Sequence, residues 1–366
     1  MKTMKIPGGP QEITPEWLTD ALRETGVVSG ARVTRADVNV VGEGSGFIGQ
    51  LARVALAYDR PQPGAPASLI AKFPGASEGG RQIGNLFRFY EREIRFYEEI
   101  AEKIELRTPR RYYSAMDVER GEYVLLLEDL HPARVGDQTA GCTVGEAELA
   151  VRELAKFHAS WWEHPTLSGM DWMLMINDVV HQSAQQSYAD AWQPFIDNFG
   201  QDLPADFLEL AEEVGRNVIN LQHALAEKPW TIVHGDYRLD NLFFGSEHGG
   251  PEFAVADWQI TSRGRGIFDL AYLVIGGLEP ATRKAHEMDL LRMYHEILLA
   301  RGVRGYQWEQ CLREYRMSAL YVLVYVVISL GTLDFANERG LALFRAWLER
   351  IRAALADLDP RGLMPS

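Results

Sequence analysis

Two short stretches decide the fold: residues 232–241 read IVHGDYRLDN, and residues 253–258 read FAVADW. They place three oxygen-bearing side chains, Asp236, Asn241 and Asp257, beside apolar runs. Phosphoryl transfer needs a carboxylate that orients the attacking hydroxyl and two further oxygen ligands that hold Mg²⁺ against the phosphates. These three side chains can supply all three groups, which places the chain among kinases.

The spacing of these residues matches the protein-kinase pattern at two points. His234 precedes Asp236 by two residues and Asn241 follows it by five, as in a kinase catalytic loop. Asp257 ends a later apolar strand, as the metal-binding Asp of kinases does. The first motif alone is also compatible with a His-Gly-Asp turn followed by an Asx turn. The second match favours the catalytic interpretation.

Composition and charge limit the kind of protein this is. The chain has 366 residues, 46% of them hydrophobic, which is enough for one large or two medium domains. Its 37 Lys and Arg against 51 Asp and Glu give a net charge of −14, which argues against nucleic acid or an anionic membrane as the main partner. Two cysteines cannot form a disulfide framework.

Two segments bear on targeting. Residues 1–10 lack the apolar core of a signal peptide, so nothing there directs export. The two cysteines, which form neither a disulfide framework nor a Cys/His cluster, lead us to expect a reducing, cytoplasmic compartment. Residues 317–333 are uncharged, but this stretch is shorter than a typical membrane-spanning helix and includes several polar side chains. We therefore predict a buried helix there and no membrane span.

The residue patterns divide the chain into a strand-rich part and a helical part. Residues 33–73 alternate as strands, residues 83–103 have helical periodicity, residues 122–128 form an apolar strand, and the chain is mostly helical after residue 144. We predict an α+β, protein-kinase-like bilobal fold. Its small β-rich N-lobe would cover residues 1–130 and its larger, mostly helical C-lobe residues 131–366.

A buried ion pair is predicted in the N-lobe. Glu93 shares a helical face with large apolar residues, and Lys72 is a lone cation that ends an apolar strand. An unpaired charge on a packing face is costly, so pairing the two satisfies both. Kinase-type sites use such a pair to hold a Lys against the α- and β-phosphates. Glu91 is the alternative partner.

Two N-lobe segments are candidates for nucleotide contact. Gly44, Ser45 and Gly46 lie in a glycine-rich run whose backbone N–H groups can approach phosphate. The same run resembles a dinucleotide fingerprint, but the residues after it alternate as a strand, so we reject that interpretation. Glu128 and Leu130 follow an apolar strand in a connector whose backbone can bind the adenine edge, or they simply end a buried strand.

Asp269 and Arg238 are further candidates near the catalytic loop. Asp269 stands beside an apolar helical run, where it can brace the catalytic loop by accepting backbone N–H bonds or cap the helix. Arg238 lies two residues after Asp236, where it can stabilise transition-state charge or form a salt bridge with Asp240.

The chain resembles the aminoglycoside phosphotransferase and choline kinase superfamily, and within it the ecdysteroid kinase-like group, over roughly residues 33–343. The similarity rests on several motifs together: EIRFY (93–97), LEDL (127–130), FHA (157–159), HGD (234–236) through the Asn at 241, and ADWQ (256–259). The resemblance implies a protein-kinase-like fold and transfer of a phosphoryl group from ATP, with Mg²⁺, to a hydroxyl of a small molecule.

The resemblance also assigns roles to residues. Asp236 is implied to be the base, and Asn241 and Asp257 the metal ligands. Lys72 is implied to be the phosphate anchor and Glu93 its partner. Asp269 is implied to brace the catalytic loop, and His234 is assigned to its structural support.

Two departures bear on the acceptor. Trp258 and Gln259 replace the Phe-Gly of protein kinases, and eleven residues separate Asp257 from Asp269 without an Ala-Pro-Glu motif. No long peptide-docking segment fits there, so a small-molecule acceptor is expected.

The class of acceptor stays open at this point. Trp and Met side chains between residues 161 and 192 can line a pocket for an apolar alcohol or simply fill the core. Acidic side chains between residues 206 and 213 can attract a cationic substrate or form a solvated helix face. The catalytic motif also resembles kinase-like domains that act on hydroxyacyl-CoA, and a non-catalytic nucleotide-binding module is a further alternative.

Overall fold

A computed structural model describes residues 4–41, 49–332 and 338–365. Its contacts divide the chain into a smaller unit, residues 1–103 with 107–132, and a larger unit, residues 104–106 with 133–366.

The smaller unit contains α1 (Pro15–Glu24), β1 (Val33–Val41), β2 (Gly49–Tyr58), β3 (Ser68–Pro74), α2 (Glu78–Leu86), α3 (Phe89–Glu99), β4 (Arg111–Asp117) and β5 (Glu122–Glu128). Its strands form a five-stranded antiparallel sheet with the order β1-β2-β3-β5-β4. Alternation in β2 decides which face is buried, because Ala52 and Val54 are buried while Arg53 and Ala55 are exposed.

The helical periodicity of residues 83–103 corresponds to the end of one helix, a second helix and a 3₁₀ turn, so the helical structure is not continuous. The break falls at Arg88, which adopts a left-handed conformation with φ of 56° between α2 and α3. Leu86 is 59% exposed at the end of α2, so it does not share the packing face. Phe89 and Tyr97 do, and they are buried on α3 with Glu93.

The larger unit contains two small sheets and eight helices among its described residues. The elements are β6 (Arg134–Val135), α4 (Val144–Ser160), α5 (Ser183–Phe199), α6 (Ala205–Arg216), α7 (Val218–Leu225), β7 (Thr231–Val233), β8 (Leu242–Ser246), β9 (Gly249–Val255), β10 (Ser262–Gly264), α8 (Ile267–Gly277), α9 (Pro280–Ala300), α10 (Trp308–Thr332) and α11 (Glu338–Leu358). Strand β7 pairs with β10, and β8 pairs with both β6 and β9, all antiparallel.

Helix α10 is the central helix of this unit. By length and composition alone it could cross a membrane, but 67% of its most apolar window is buried inside the fold. It packs along α5, α8 and α11. These contacts agree with the buried helix expected from the sequence, and they explain its apolar character without a bilayer.

Candidate active site

The predicted catalytic loop connects β7 to β8 and ends in one turn of 3₁₀ helix, Leu239–Asn241. It begins with a tight turn at Gly235, whose φ is +85°. A Cβ at this position would lie 2.8 Å from the backbone oxygen of Ile260. Both the left-handed conformation and the close backbone approach therefore require glycine between His234 and Asp236.

Asp269, in the first turn of α8, holds the start of this loop. Its carboxylate accepts the backbone N–H of His234 at 2.7 Å and that of Gly235 at 2.9 Å. The side chain is completely buried. Of the two roles expected for Asp269, bracing the loop is the one that these contacts match.

His234 connects the loop to the strand that leads to Asp257. Its Nδ1 accepts the N–H of Asp236 at 3.2 Å, and its Nε2 lies 3.0 Å from the carbonyl oxygen of Ala256. Because a carbonyl only accepts, Nε2 carries the proton and the ring is the neutral tautomer. The imidazole is fully buried and lies 4.5 Å from the ring of Trp258.

Three side chains of the motif meet at Asp236. Its Oδ2 accepts hydrogen bonds from Asn241 Nδ2 at 3.0 Å and from Arg238 Nε at 3.1 Å. Asn241 Nδ2 also reaches the Asp236 carbonyl at 2.9 Å, and Arg238 Nη1 reaches Asp240 at 2.7 Å. The charge of Asp236 is the main cause that raises the pKa of Arg238 above its ordinary value, so the guanidinium remains charged.

Asn241 and Asp257 offer the kind of ligands that Mg²⁺ prefers. The Asn241 amide nitrogen faces Asp236, so its oxygen, on the other branch, is directed elsewhere. Asp257 follows β9 in a left-handed conformation with φ of 65°, which is rare for a residue other than glycine. In the described part of the chain no three His, Cys, Asp or Glu side chains form a metal cluster. One amide oxygen and one carboxylate suit an ion such as Mg²⁺, which completes its coordination with phosphate and water oxygens.

The smaller unit contains the expected ion pair. Lys72 Nζ, on β3, lies 2.6 Å from Glu93 Oε1, on α3, and the Glu93 side chain is only 6% exposed. Glu91 instead forms ion pairs with Arg88 at 2.9 Å and Arg95 at 2.8 Å. The contact expected from the sequence is therefore present, and the alternative partner is engaged elsewhere.

The connector residues Glu128 and Leu130 were predicted to contact the adenine edge of a nucleotide. Both carboxylate oxygens of Glu128 lie 2.6 Å from Arg107, and the backbone N–H of Arg110 also binds this carboxylate at 2.9 Å. The Glu128 side chain is thus occupied within its own unit, and its backbone N–H donates to the Arg110 carbonyl at 2.8 Å, so only its backbone carbonyl is a candidate for adenine contact. Leu130 is buried. The predicted phosphate-contacting residues lie outside the described residues: Gly44, Ser45 and Gly46.

Comparison with known proteins identifies the family. The model of the Ecdysteroid kinase-like family matches residues 43–302, which is more than half of the chain. The chain belongs to this family. No curated protein matches the sequence.

Solved structures confirm the fold. A putative aminoglycoside phosphotransferase from Ralstonia eutropha JMP134 is 16% identical, with a TM-score of 0.51 over 93% of this chain and 97% of that one. The GDP complex of an aminoglycoside 2′-phosphotransferase is 12% identical, with a TM-score of 0.53 over 94% and 98%. A microcompartment-associated aminopropanol kinase is 14% identical, with a TM-score of 0.52 over 95% and 98%. The α+β kinase-like fold expected from the sequence is confirmed by these structures, and the ecdysteroid kinase-like group expected from the sequence is confirmed by the family match.

His158, at the C-terminal end of α4, is a supporting residue that the sequence did not assign to the site. Its Nε2 lies 3.3 Å from Asp269 Oδ2, and its Nδ1 lies 2.8 Å from the hydroxyl of Tyr294. The hydroxyl of Thr231, in β7, donates to the His158 carbonyl at 2.8 Å. The FHA motif served only to suggest the family, and nothing in its local pattern predicted this contact with the α8 carboxylate.

Gln138 was missed entirely and holds the second half of the catalytic loop. Its side-chain oxygen accepts the backbone N–H of Leu239 at 2.8 Å, and its backbone N–H donates to the Asp240 carboxylate at 3.1 Å. Arg350 of α11 donates to the Gln138 carbonyl at 2.6 Å and to the Gly276 carbonyl at 2.7 Å. A glutamine in a loop carries no sequence signal for such a role.

Tyr272 lies one turn after Asp269 on α8 and was also missed. Burial, followed by the charge of Asp236, raises the pKa of its hydroxyl well above the ordinary value. Its ring packs edge-on against Trp347, with centroids 5.1 Å apart. A neutral phenol is therefore held near the Asp236 carboxylate.

The Trp and Met side chains between residues 161 and 192 are divided between buried and partly exposed positions. Trp161, Trp172 and Met173 are buried. Trp162 is half-buried, and its ring lies 4.8 Å from that of Tyr306. The acidic side chains of α6 are mainly exposed: Asp206, Glu209 and Glu212.

Proposed function

We propose that this protein is an ATP- and Mg²⁺-dependent phosphotransferase that moves the γ-phosphoryl group of ATP to a hydroxyl of a small molecule. The observation that carries the proposal is the convergence of Asn241 and Arg238 on the Asp236 carboxylate, in a loop whose backbone is held by Asp269. Membership of the ecdysteroid kinase-like family supports it.

Asp236 is the proposed catalytic base. Its carboxylate orients the acceptor hydroxyl and takes its proton while the hydroxyl oxygen bonds to the γ-phosphorus and the bond from that phosphorus to the ADP oxygen breaks. Arg238 and Asn241 fix the orientation of the carboxylate through its Oδ2. Arg238 Nη2 forms no hydrogen bond within residues 4–41, 49–332 and 338–365, so we assign it to the charge that develops on the phosphoryl oxygens.

Asn241 and Asp257 are the proposed Mg²⁺ ligands. When bound, the ion neutralises phosphate charge and orients the phosphates for in-line transfer. The contact between Asn241 and Asp236 connects one proposed metal ligand to the proposed base. His234 hydrogen-bonds both the Asp236 N–H and the Ala256 carbonyl, which connects the loop that carries Asp236 to the segment that carries Asp257.

Nucleotide contacts are proposed for the smaller unit. Lys72, oriented by Glu93, would bind the α- and β-phosphates. The backbone carbonyl of Glu128 and the backbone of Leu130 would bind the adenine edge, and the N–H groups of residues 44–46 would contact phosphate.

A small-molecule acceptor is supported by the segment between Asp257 and Asp269. Part of this segment is β10, which is paired with β7, and Arg263 also bridges to Met175. Because these residues are committed to the sheet, they offer no extended strip on which a peptide substrate would lie.

The test is an ATP-consumption screen with four acceptor classes: sterols, hydroxyacyl-CoAs, amino alcohols and aminoglycosides. Asp236→Asn is the blank and Asp289→Asn, an exposed position on α9, is the matched control. We expect acceptor-dependent ADP release that is lost in Asp236→Asn and kept in Asp289→Asn. Hydroxyacyl-CoA as the only active class would select the acyl thioester alternative.

A binding measurement tests the metal assignment separately. Asp257→Ala should lose Mg²⁺-dependent ATP affinity in titration calorimetry, whereas Asp236→Asn should keep it. Undiminished Mg·ATP affinity in Asp257→Ala would contradict the ligand assignment. If wild type binds Mg·ATP but consumes none with any acceptor, the nucleotide-binding module becomes the better interpretation.

A further inference from the structure

A cleft on the larger unit shares no lining residue with the catalytic loop. It is formed by residues 159, 162 and 163 around the end of α4, residues 228–229 before β7, and the turn 301–306 between α9 and α10, with Gln310. Its volume is about 540 Å³. This size is typical of sites for small molecules.

The lining of this cleft has the opposite charge from the rest of the protein. Its lining has three cations, Lys228, Arg301 and Arg304, and one carboxylate, that of Glu163. Glu105 balances Arg301 from outside the lining, so one positive charge remains in excess. The whole chain carries −14. A concave surface concentrates the field of its charges, so the cleft attracts anions although the protein as a whole repels them.

Arg304 is the cation best placed to bind a ligand. Arg301 pairs with Glu105 at 2.8 Å and Lys228 pairs with Glu163 at 2.9 Å. Among the described residues, by contrast, no carboxylate lies within ion-pair distance of Arg304. Its Nη1 donates to the carbonyl oxygens of Leu299 and Val303, each at 3.2 Å, which holds the side chain while other N–H groups stay available. A guanidinium presents its donors in a fork that suits an oxyanion.

The wall of the cleft that contains Tyr306 and Gln310 is held by hydrogen bonds to a buried carboxylate. Tyr306 donates its hydroxyl to Glu314 at 2.8 Å, and Gln310 donates to the same carboxylate at 2.9 Å. Arg265 balances the Glu314 charge at 2.9 Å. Trp162 packs its half-buried ring on Tyr306 and provides a flat apolar surface. A wall that is already ordered loses little conformational freedom when a ligand binds.

We propose that this cleft binds a small organic oxyanion, whose phosphate or carboxylate group contacts Arg304 while a planar apolar body lies against Trp162. The site is independent of the proposed phosphotransferase activity, because none of its residues belongs to the catalytic loop or to the nucleotide contacts.

The test uses phenyl phosphate as the probe and the indole N–H signals of the nine tryptophans as the readout. The Trp162 signal is assigned in a ¹H–¹⁵N spectrum by its absence from Trp162→Phe. Arg304→Ala removes the proposed contact, and Arg313→Ala removes the same charge from an exposed position on α10. Benzyl alcohol, which lacks the anion, controls for apolar binding.

We expect phenyl phosphate to shift the Trp162 signal saturably, with equal Kd in wild type and Arg313→Ala and a Kd about tenfold higher in Arg304→Ala. Benzyl alcohol should bind at least about tenfold more weakly than phenyl phosphate. Unchanged signals of the other eight indoles in free Arg304→Ala would show that the variant keeps the fold. An absent Trp162 shift, an unchanged Kd in Arg304→Ala, or equal affinity for benzyl alcohol would overturn the proposal.

Discussion

Replacing Asp269 with asparagine changes one carboxylate oxygen to an NH₂ group, at a position where several N–H groups donate to the carboxylate. The carboxylate now faces the N–H groups of His234 and Gly235 and the ring of His158. An asparagine keeps one acceptor oxygen, and its NH₂ group must then face another donor. Because the site is fully buried, water cannot satisfy the N–H group that loses its acceptor.

The expected cost follows from these contacts. A buried N–H left without an acceptor costs about 1–3 kcal/mol, and loss of the charge weakens the remaining bonds by about 1 kcal/mol. Asp269→Asn should therefore destabilise the larger unit by about 2–4 kcal/mol. For a unit of this size that corresponds to a fall in Tm of about 4–8 °C. The loop also carries Asp236, so a displacement of about 1 Å should lower kcat by roughly 10²-fold.

Thermal unfolding followed by circular dichroism measures the first effect, and ATP turnover measures the second. Asp289→Asn makes the same chemical change at an exposed position and should match wild type in both. The bracing argument fails if Asp269→Asn unfolds within about 1 °C of Asp289→Asn. A normal Tm with a large loss of turnover would instead give Asp269 a direct chemical role.

Three further outcomes follow from the structure. Gly235→Ala should cost about 2–4 kcal/mol, since it adds a backbone clash to left-handed strain, whereas Gly305→Ala, with open space around it, should cost about 1–2 kcal/mol; equal Tm values would contradict the clash. Lys72→Ala should weaken ATP binding at least about tenfold in calorimetry, and Glu93→Gln should weaken it less because the lysine remains; an effect in the opposite order would contradict the assigned roles. Gln138→Leu should lower the stability of the larger unit by about 1–3 kcal/mol through the lost acceptor for a loop N–H, and a Tm equal to wild type would show that water replaces it.

The local parts of the site were predictable because their chemistry lies in short segments. The His-Gly-Asp turn, the following asparagine and the later aspartate are set by spacing alone, and Lys72 and Glu93 each needed a partner on an apolar surface. The break at Arg88 was not predictable, since arginine has no preference for the left-handed conformation that separates α2 from α3.

The supporting residues could not be predicted because their partners are far apart in sequence. Gln138 lies 101 positions from Leu239, and His158 lies 111 positions from Asp269. Each contact depends on how whole helices pack, and neither side chain stands in a pattern that marks it. Hydrogen-bonded loops of this kind are specified by the three-dimensional fold.

The short segment after Asp257 has a consequence for its access to modifying enzymes. Its hydroxyl-bearing residues are Thr261 and Ser262. The Thr261 side chain is fully buried and donates to the Val233 carbonyl at 3.0 Å, while the half-buried Ser262 is paired with Val233 in the β7–β10 ladder. A modifying enzyme could phosphorylate Thr261 only after this ladder had opened, and the added charge would then prevent it from closing. Phosphorylation of Thr261 would therefore require local unfolding first and would keep the ladder open afterwards.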